Sequence, residues 1–154
     1  MPEMSDMPPL PDFAKPRVRS ETDEEQLGDD YMLRAGFSRV EFSLPMHVIG
    51  MTKGVSDRYY DKYGHALWWE AKAAKGQLTR AQHEFLVARL DAGVLAICGT
   101  FDDLHATHAV MLGGRISNSL DHCRQLVARW ASKGYRKEPT KRPGRPTQFR
   151  RKTR

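Results

Sequence analysis

Between residues 20 and 132 the apolar positions fall in short runs, and the spacing of each run names an element. Ser20, followed by Glu21, Asp23, Glu24 and Glu25, has the composition of a helix start, because acids are favoured at the positive end of a helix dipole. That helix is expected to run to about Ala35 and stop at Gly36. Residues 37–44 (FSRVEFSL) alternate imperfectly and read as a strand; 45–54 read as a loop. Residues 55–60 and 65–73 read as two strands joined by a tight turn at Asp61-Lys62-Tyr63-Gly64. Thr79 is a good N-cap, and Thr79-x-x-Gln82 has capping-box spacing. Its helix would turn Phe85, Leu86 and Leu90 toward a core and end near Gly93. Residues 94–98 (VLAIC) are continuously apolar, as in a buried strand, and helices are expected at about 102–112 and 117–132. The order is helix, three strands, helix, strand, helices, an α/β sandwich with a mixed sheet.

Side chains alternate between the two faces of a strand. Leu67, Trp69 and Ala71 therefore form one set, the expected core set, and Trp68, Glu70 and Lys72 the other. Asp57 and Glu70 are equidistant from a turn centred on Tyr63-Gly64, so pairing across that turn sets them opposite or nearly so. Two carboxylates and an ammonium then converge at one end of the hairpin. The set suits metal-assisted phosphodiester hydrolysis. Mg²⁺ takes few protein carboxylates together with waters and phosphate oxygens. Asp57 and Glu70 can supply the carboxylates, and the Ala71 carbonyl a further oxygen. A bound metal lowers the pKa of its water and offsets the charge growing in the transition state. Lys72 is better suited to orienting that water than to deprotonating it, since a base would need a pKa well below the ordinary value of about 10.4. The competing reading is structural, with Glu70 and Lys72 an exposed ion pair on a strand edge.

The segments Gly54-Val55-Ser56-Asp57 and Leu67-Trp68-Trp69-Glu70-Ala71-Lys72, then Lys75-Gly76-Gln77-Leu78-Thr79 and Ala81-Gln82, resemble the VRR-NUC family, a branch of the PD-(D/E)XK nuclease superfamily. Residues 86–103 (LVARLDAGVLAICGTFDD) resemble the helix, turn, buried strand and acidic helix start that follow in that family, so the similarity covers about residues 20–104. The resemblance implies a restriction-endonuclease-like α/β/α core around a mixed four-stranded sheet, here with extra C-terminal helices. It implies that Asp57 and Glu70 bind Mg²⁺ or Mn²⁺, that Lys72 is the catalytic lysine, and that Gln82 is the motif glutamine near the site. It also implies a glutamate from the first helix. Glu24 fits the local pattern, although Gly28 stands where glutamine is usual, and Glu21 and Glu25 are alternatives. Ser56 stands where proline is usual. Stand-alone members of this size are phage or bacterial proteins, so the resemblance further implies a homodimer that cuts branched DNA such as four-way junctions.

Charge changes the picture at the ends. The chain carries +6, but residues 133–154 hold ten Lys/Arg and one acid, Glu138, a net +9 that leaves −3 on residues 1–132. A basic tail on a mildly acidic body points to a polyanion, usually nucleic acid, with a merely solubilising tail as the alternative. Five of the nine prolines lie in residues 1–16 and three in 139–146, so the chain reads as a flexible segment at 1–19, a folded domain at 20–132 and a basic, disordered tail at 133–154. In the tail, Lys141, Arg142, Arg145, Arg150 and Arg151 are expected to contact DNA. Gly144-Arg145-Pro146 resembles the core of an AT-hook, but the flanking basic residues are displaced. Lys75 and Arg80 could meet a phosphate backbone beside the site.

The N-terminus lacks the basic and apolar regions of a signal peptide and no apolar run spans a membrane, so a cytoplasmic protein without membrane contact is expected. Two cysteines fit a reducing compartment, with Cys98 a core residue. His105, His108, His122 and Cys123 lack a zinc-site spacing. Tyr59, Tyr60 and Tyr63 read as strand aromatics rather than base-stacking platforms. The alternative to an endonuclease is a non-catalytic nucleic-acid-binding protein that keeps a nuclease-like fold and binds through its tail.

Overall fold

The structure, a computed structural model, describes residues 7–10, 18–40, 56 and 58–137. Four helices and four strands follow in the order α1 (Glu21–Arg34), β1 (Ser38–Val40), β2 (Arg58–Lys62), β3 (His65–Ala71), α2 (Arg80–Asp91), β4 (Leu95–Gly99), α3 (Phe101–Leu112) and α4 (Ile116–Ala131). The sheet order is β1-β2-β3-β4. β1 with β2 and β2 with β3 are antiparallel, whereas β3 and β4 are parallel. A parallel neighbour needs a crossover, and α2 supplies it. The expected mixed α/β sheet is therefore present.

Local chemistry accounts for the boundaries. Ser20 caps α1: its hydroxyl accepts from Asp23 N–H while its own N–H donates to the Asp23 carboxylate. The hairpin turn is tighter than expected. Asp61 pairs with Ala66 and Lys62 with His65, leaving only Tyr63 and Gly64 in the loop. Both have positive φ, 48° and 81°, the conformation of a two-residue hairpin turn whose twist matches its strands.

The adjacent tryptophans divide between the two faces of β3. Trp69 is fully buried against α1 and α3, where Gly28 and Leu104 lie over its ring. Trp68 faces α2, edge-on to Phe85 and tilted on Tyr59. α4 packs beside α2 on that second face, its Cys123 against the main chain of Ala96. Residues 95–99 are buried throughout although β4 is the last strand of the sheet, because α2, α3 and α4 pack against it. On the α1 face, Asp29 accepts from Tyr60 O–H (2.6 Å) and Arg58 Nε (3.1 Å) and also binds Arg39, tying α1 to β1 and β2.

Among the described residues, His105, His108, His122 and Cys123 do not converge on one point. His108 is buried with Nδ1 2.8 Å from the Tyr31 hydroxyl, His105 lies edge-on to Tyr31, and His122 Nε2 is 2.9 Å from Thr107 Oγ1. Burial pulls the His108 pKa down from 6.5 to about 4. The unfolded chain therefore binds a proton there that the folded chain excludes. This contribution to stability is complete above about pH 6.5 and is lost as the pH falls toward 4. It amounts to about 2 kcal/mol by pH 5. Urea midpoints measured at pH 7.5 and pH 5 should show this loss, and His108→Gln should flatten that part of the dependence.

Candidate active site

Three of the expected site residues meet at the C-terminal end of β3. This strand is interior, with Trp69 paired to Arg58 on one side and to Ile97 on the other. The ladder continues one residue past β3, where Lys72 N–H donates to the Gly99 carbonyl at 2.9 Å. The Trp69 indole N–H reaches the same carbonyl at 3.2 Å. Gly99 has φ 135°, and a Cβ there would lie 2.2 Å from Asp103 Oδ2 and 2.7 Å from Trp130 Nε1, so only glycine allows the strand to turn this closely into α3.

With the backbone held, alternation sends Glu70 and Lys72 to the α2 face. Their side chains are 1% and 2% exposed. The exposed, strand-edge ion pair allowed by the sequence is thus replaced by a buried pair on an interior strand. Lys72 Nζ lies 3.6 Å from Glu70 Oε1, an ion-pair distance longer than a charge-assisted hydrogen bond. The ammonium keeps donor capacity for another acceptor. Gln82 donates from Nε2 to Glu70 Oε1 at 2.7 Å, and its Oε1 accepts from Thr79 N–H at 2.9 Å. A carboxylate can only accept and a backbone N–H can only donate, so the two partners together fix the amide orientation. Gln82 therefore serves both as capping-box residue and as the group that orients Glu70. Cys98 pairs in register with Glu70. Burial, then the Glu70 and Asp103 carboxylates, raise its thiol pKa, and burial pushes Cys123 up to about 12. Neither is activated as a nucleophile.

The other expected residues stand as follows. Asp57 lies outside the described residues; the register on which its placement rests is seen as far as the Arg58–Trp69 pair. Glu24 is buried, but its carboxylate is occupied at the N-terminus of α3, with Oε1 accepting from Arg19 Nε at 3.0 Å and Oε2 from Phe101 N–H at 2.8 Å. Burial raises its pKa. Glu24 is on α1, which packs on the Trp69 face, so this contact does not join it to Glu70. Glu25 pairs with Arg58 at 3.1 Å. Lys75 and Arg80 are exposed beside the site. Lys141, Arg142, Arg145, Arg150 and Arg151 lie outside the described residues. Tyr60 is core, Tyr59 packs on Trp68, and Tyr63 is exposed at the turn tip.

One group of residues escaped the sequence reading. Residues 133–137, assigned above to the tail, pack back on the segment before α2. Tyr135 bridges Leu78, Arg136 N–H donates to Leu78 O at 2.8 Å, and Tyr135 O–H lies 2.7 Å from His83 Nδ1. No periodicity signals such a contact; the aromatic in an otherwise basic stretch is its only trace. No family model matches the chain, and neither a curated protein nor a solved structure matches it.

Proposed function

We propose that the chain is a metal-dependent DNA endonuclease, selective for branched DNA such as four-way junctions and acting in the cytoplasm as a homodimer. The observation that carries this reading is the buried Glu70–Lys72 pair with Gln82 hydrogen-bonded to Glu70. Burying two charges is costly, and an apolar pair of similar volume is often as stable or more so. Opposite charges held 1–2% exposed at the end of an interior strand are therefore better explained by chemistry than by stability. The element order supports the restriction-endonuclease-like form of the fold, and no helix among the described residues is long and apolar enough to cross a membrane.

The donors that would meet a metal here are all oxygen, which fits a hard cation such as Mg²⁺ or Mn²⁺. Among the described residues no three His, Cys, Asp or Glu side chains form a metal site. The reading therefore requires Asp57 beside Glu70 and the Ala71 carbonyl, with waters and substrate oxygens completing the shell. Once bound, the cation would activate a water and offset phosphate charge. Gln82 holds the Glu70 carboxylate in place. Lys72 would direct its donors at the attacking water or a non-bridging phosphate oxygen as the water oxygen bonds to phosphorus and the ester P–O bond breaks, the proton lost by the water passing through solvent and the leaving oxygen taking one up. Two subunits would cut the two symmetric strands of a junction.

The test is cleavage of a labelled four-way junction, a linear duplex and a single strand in Mg²⁺, Mn²⁺ or EDTA. Faster cutting of the junction, abolished by EDTA, is expected. Binding with no cutting in either metal would replace this reading with that of a non-catalytic DNA-binding protein.

A further inference from the structure

We infer that the cleft between the start of α2 and residues 135–137 is a docking site for the phosphodiester backbone of a nucleic-acid strand. The inference rests on the nucleic-acid part of the reading above, and places a contact in the folded body rather than in the tail. The cleft has a volume of about 360 Å³ and is lined by Arg80, Tyr135, Arg136 and Lys137. Its lining holds three cations and no acid. Among the described residues, none of the three is paired with a carboxylate, unlike Arg19, Arg39, Arg58, Arg124 and Arg129.

The cations are held together by design of the fold rather than by chance on a loose segment. Leu78 is fully buried, and the strap at 133–137 hangs from it through the Tyr135 bridge and the Arg136 N–H. Gln77 Nε2 donates to Lys133 O at 2.9 Å, and Lys133 Nζ donates to Ala74 O at 3.2 Å while lying 3.5 Å from the centre of the Trp130 ring. Tyr135 is fixed at its hydroxyl by His83, and the Arg80 guanidinium sits over its ring, 5.0 Å from the centroid. Like charges gathered on an ordered wall repel one another until an anion joins them, and little ordering entropy remains to be lost when it does. Arg80 opens the helical turn that carries Gln82, so a strand held here would run past the Glu70–Lys72 end of β3.

The experiment is fluorescence anisotropy of a fluorescein-labelled 20-base-pair duplex with the full chain in EDTA, over a range of salt. Arg136→Gln/Lys137→Gln should weaken binding about 10-fold near 0.1 M salt and make the slope of log K against log salt shallower by about 2, one unit per lost phosphate contact. Arg136→Lys/Lys137→Arg should bind like wild type. Arg34→Gln/Arg115→Gln removes the same charge from exposed positions elsewhere and should change affinity less than twofold. Wild-type binding by Arg136→Gln/Lys137→Gln, or an equal loss in the Arg34/Arg115 control, overturns the inference. So does a poly-glutamate competitor that displaces the duplex as well as unlabelled DNA does, since that would identify an acidic polypeptide as the occupant. Because no metal is present, these outcomes are independent of cutting. A protein that never cuts, but whose cleft variant loses DNA, fails the endonuclease reading and keeps this site.

Discussion

Lys72→Met is expected to lower metal-dependent junction cleavage by about 10³-fold, equivalent to about 4 kcal/mol of transition-state stabilisation. The same substitution is expected to destabilise the fold by about 3–5 kcal/mol, because it leaves Glu70 buried without its cation. The two effects have separate causes and can be separated. In Glu70→Gln/Lys72→Met both charges are gone, while an amide at position 70 can still accept from Gln82. Urea unfolding of the double variant should fall within about 1 kcal/mol of wild type, yet its single-turnover cleavage should remain at background. Glu70→Gln alone should also be inactive. A folded Lys72→Met protein that cuts within tenfold of the wild-type rate would remove Lys72 from the chemistry and leave the pair as a structural feature.

The pair shows which parts of the site were legible in the sequence. Period-two alternation set Glu70 and Lys72 on one face with Trp68, and the structure has them there, because strand geometry is local. Their burial was not legible. A charged residue reads as polar whether it meets water or protein, and here Gln82 of α2 closes on Glu70 while the loop at Gly76 lies against the stem of Lys72, contacts that strand alternation does not register. Capping chemistry at Ser20 and Thr79 is also local, and both caps stand where their side chains predict. The hairpin turn is two residues shorter than the sequence suggests because Tyr63, a bulky residue, takes a left-handed conformation that its type gives no reason to expect. The return of residues 133–137 to Leu78 depends on where α4 ends in space. A basic composition hid it by resembling a tail. Glu24 shows the opposite difficulty. An acid near a helix start can serve the dipole, a metal or another helix, and only the Arg19 and Phe101 contacts reveal that it caps α3.

Gly28→Ala is expected to destabilise the protein by about 3 kcal/mol, against the usual sense of that substitution within a helix. In an isolated helix alanine is better than glycine by about 1 kcal/mol. Here a Cβ at position 28 would lie 2.1 Å from Trp69 Cζ3, 2.4 Å from Cη2 and 3.0 Å from Leu104 Cδ2. The atoms it meets first belong to a rigid ring that is fully buried, stacked with Tyr60 and tethered through its indole N–H to Gly99 O. The ring has no rotamer into which to yield, so α1 must lift from the sheet. Overpacking of a well-filled core costs about 1–3 kcal/mol, and more when the neighbour cannot move. Lifting α1 also strains the Glu24 contact to Phe101 N–H and the Asp29 contacts to β1 and β2, so the loss should appear as one cooperative shift in the urea midpoint rather than as local fraying. Trp69→Leu should cost less in the Gly28→Ala background than in wild type, because there it also removes the ring that position 28 meets. That difference is the discriminating measurement: Trp69→Leu alone opens a cavity and destabilises wild type, so a smaller penalty in the alanine background would identify the contact between position 28 and the ring as the cause. A Gly28→Ala protein as stable as wild type would mean that α1 can shift without cost, and that this glycine does not set the distance between helix and sheet.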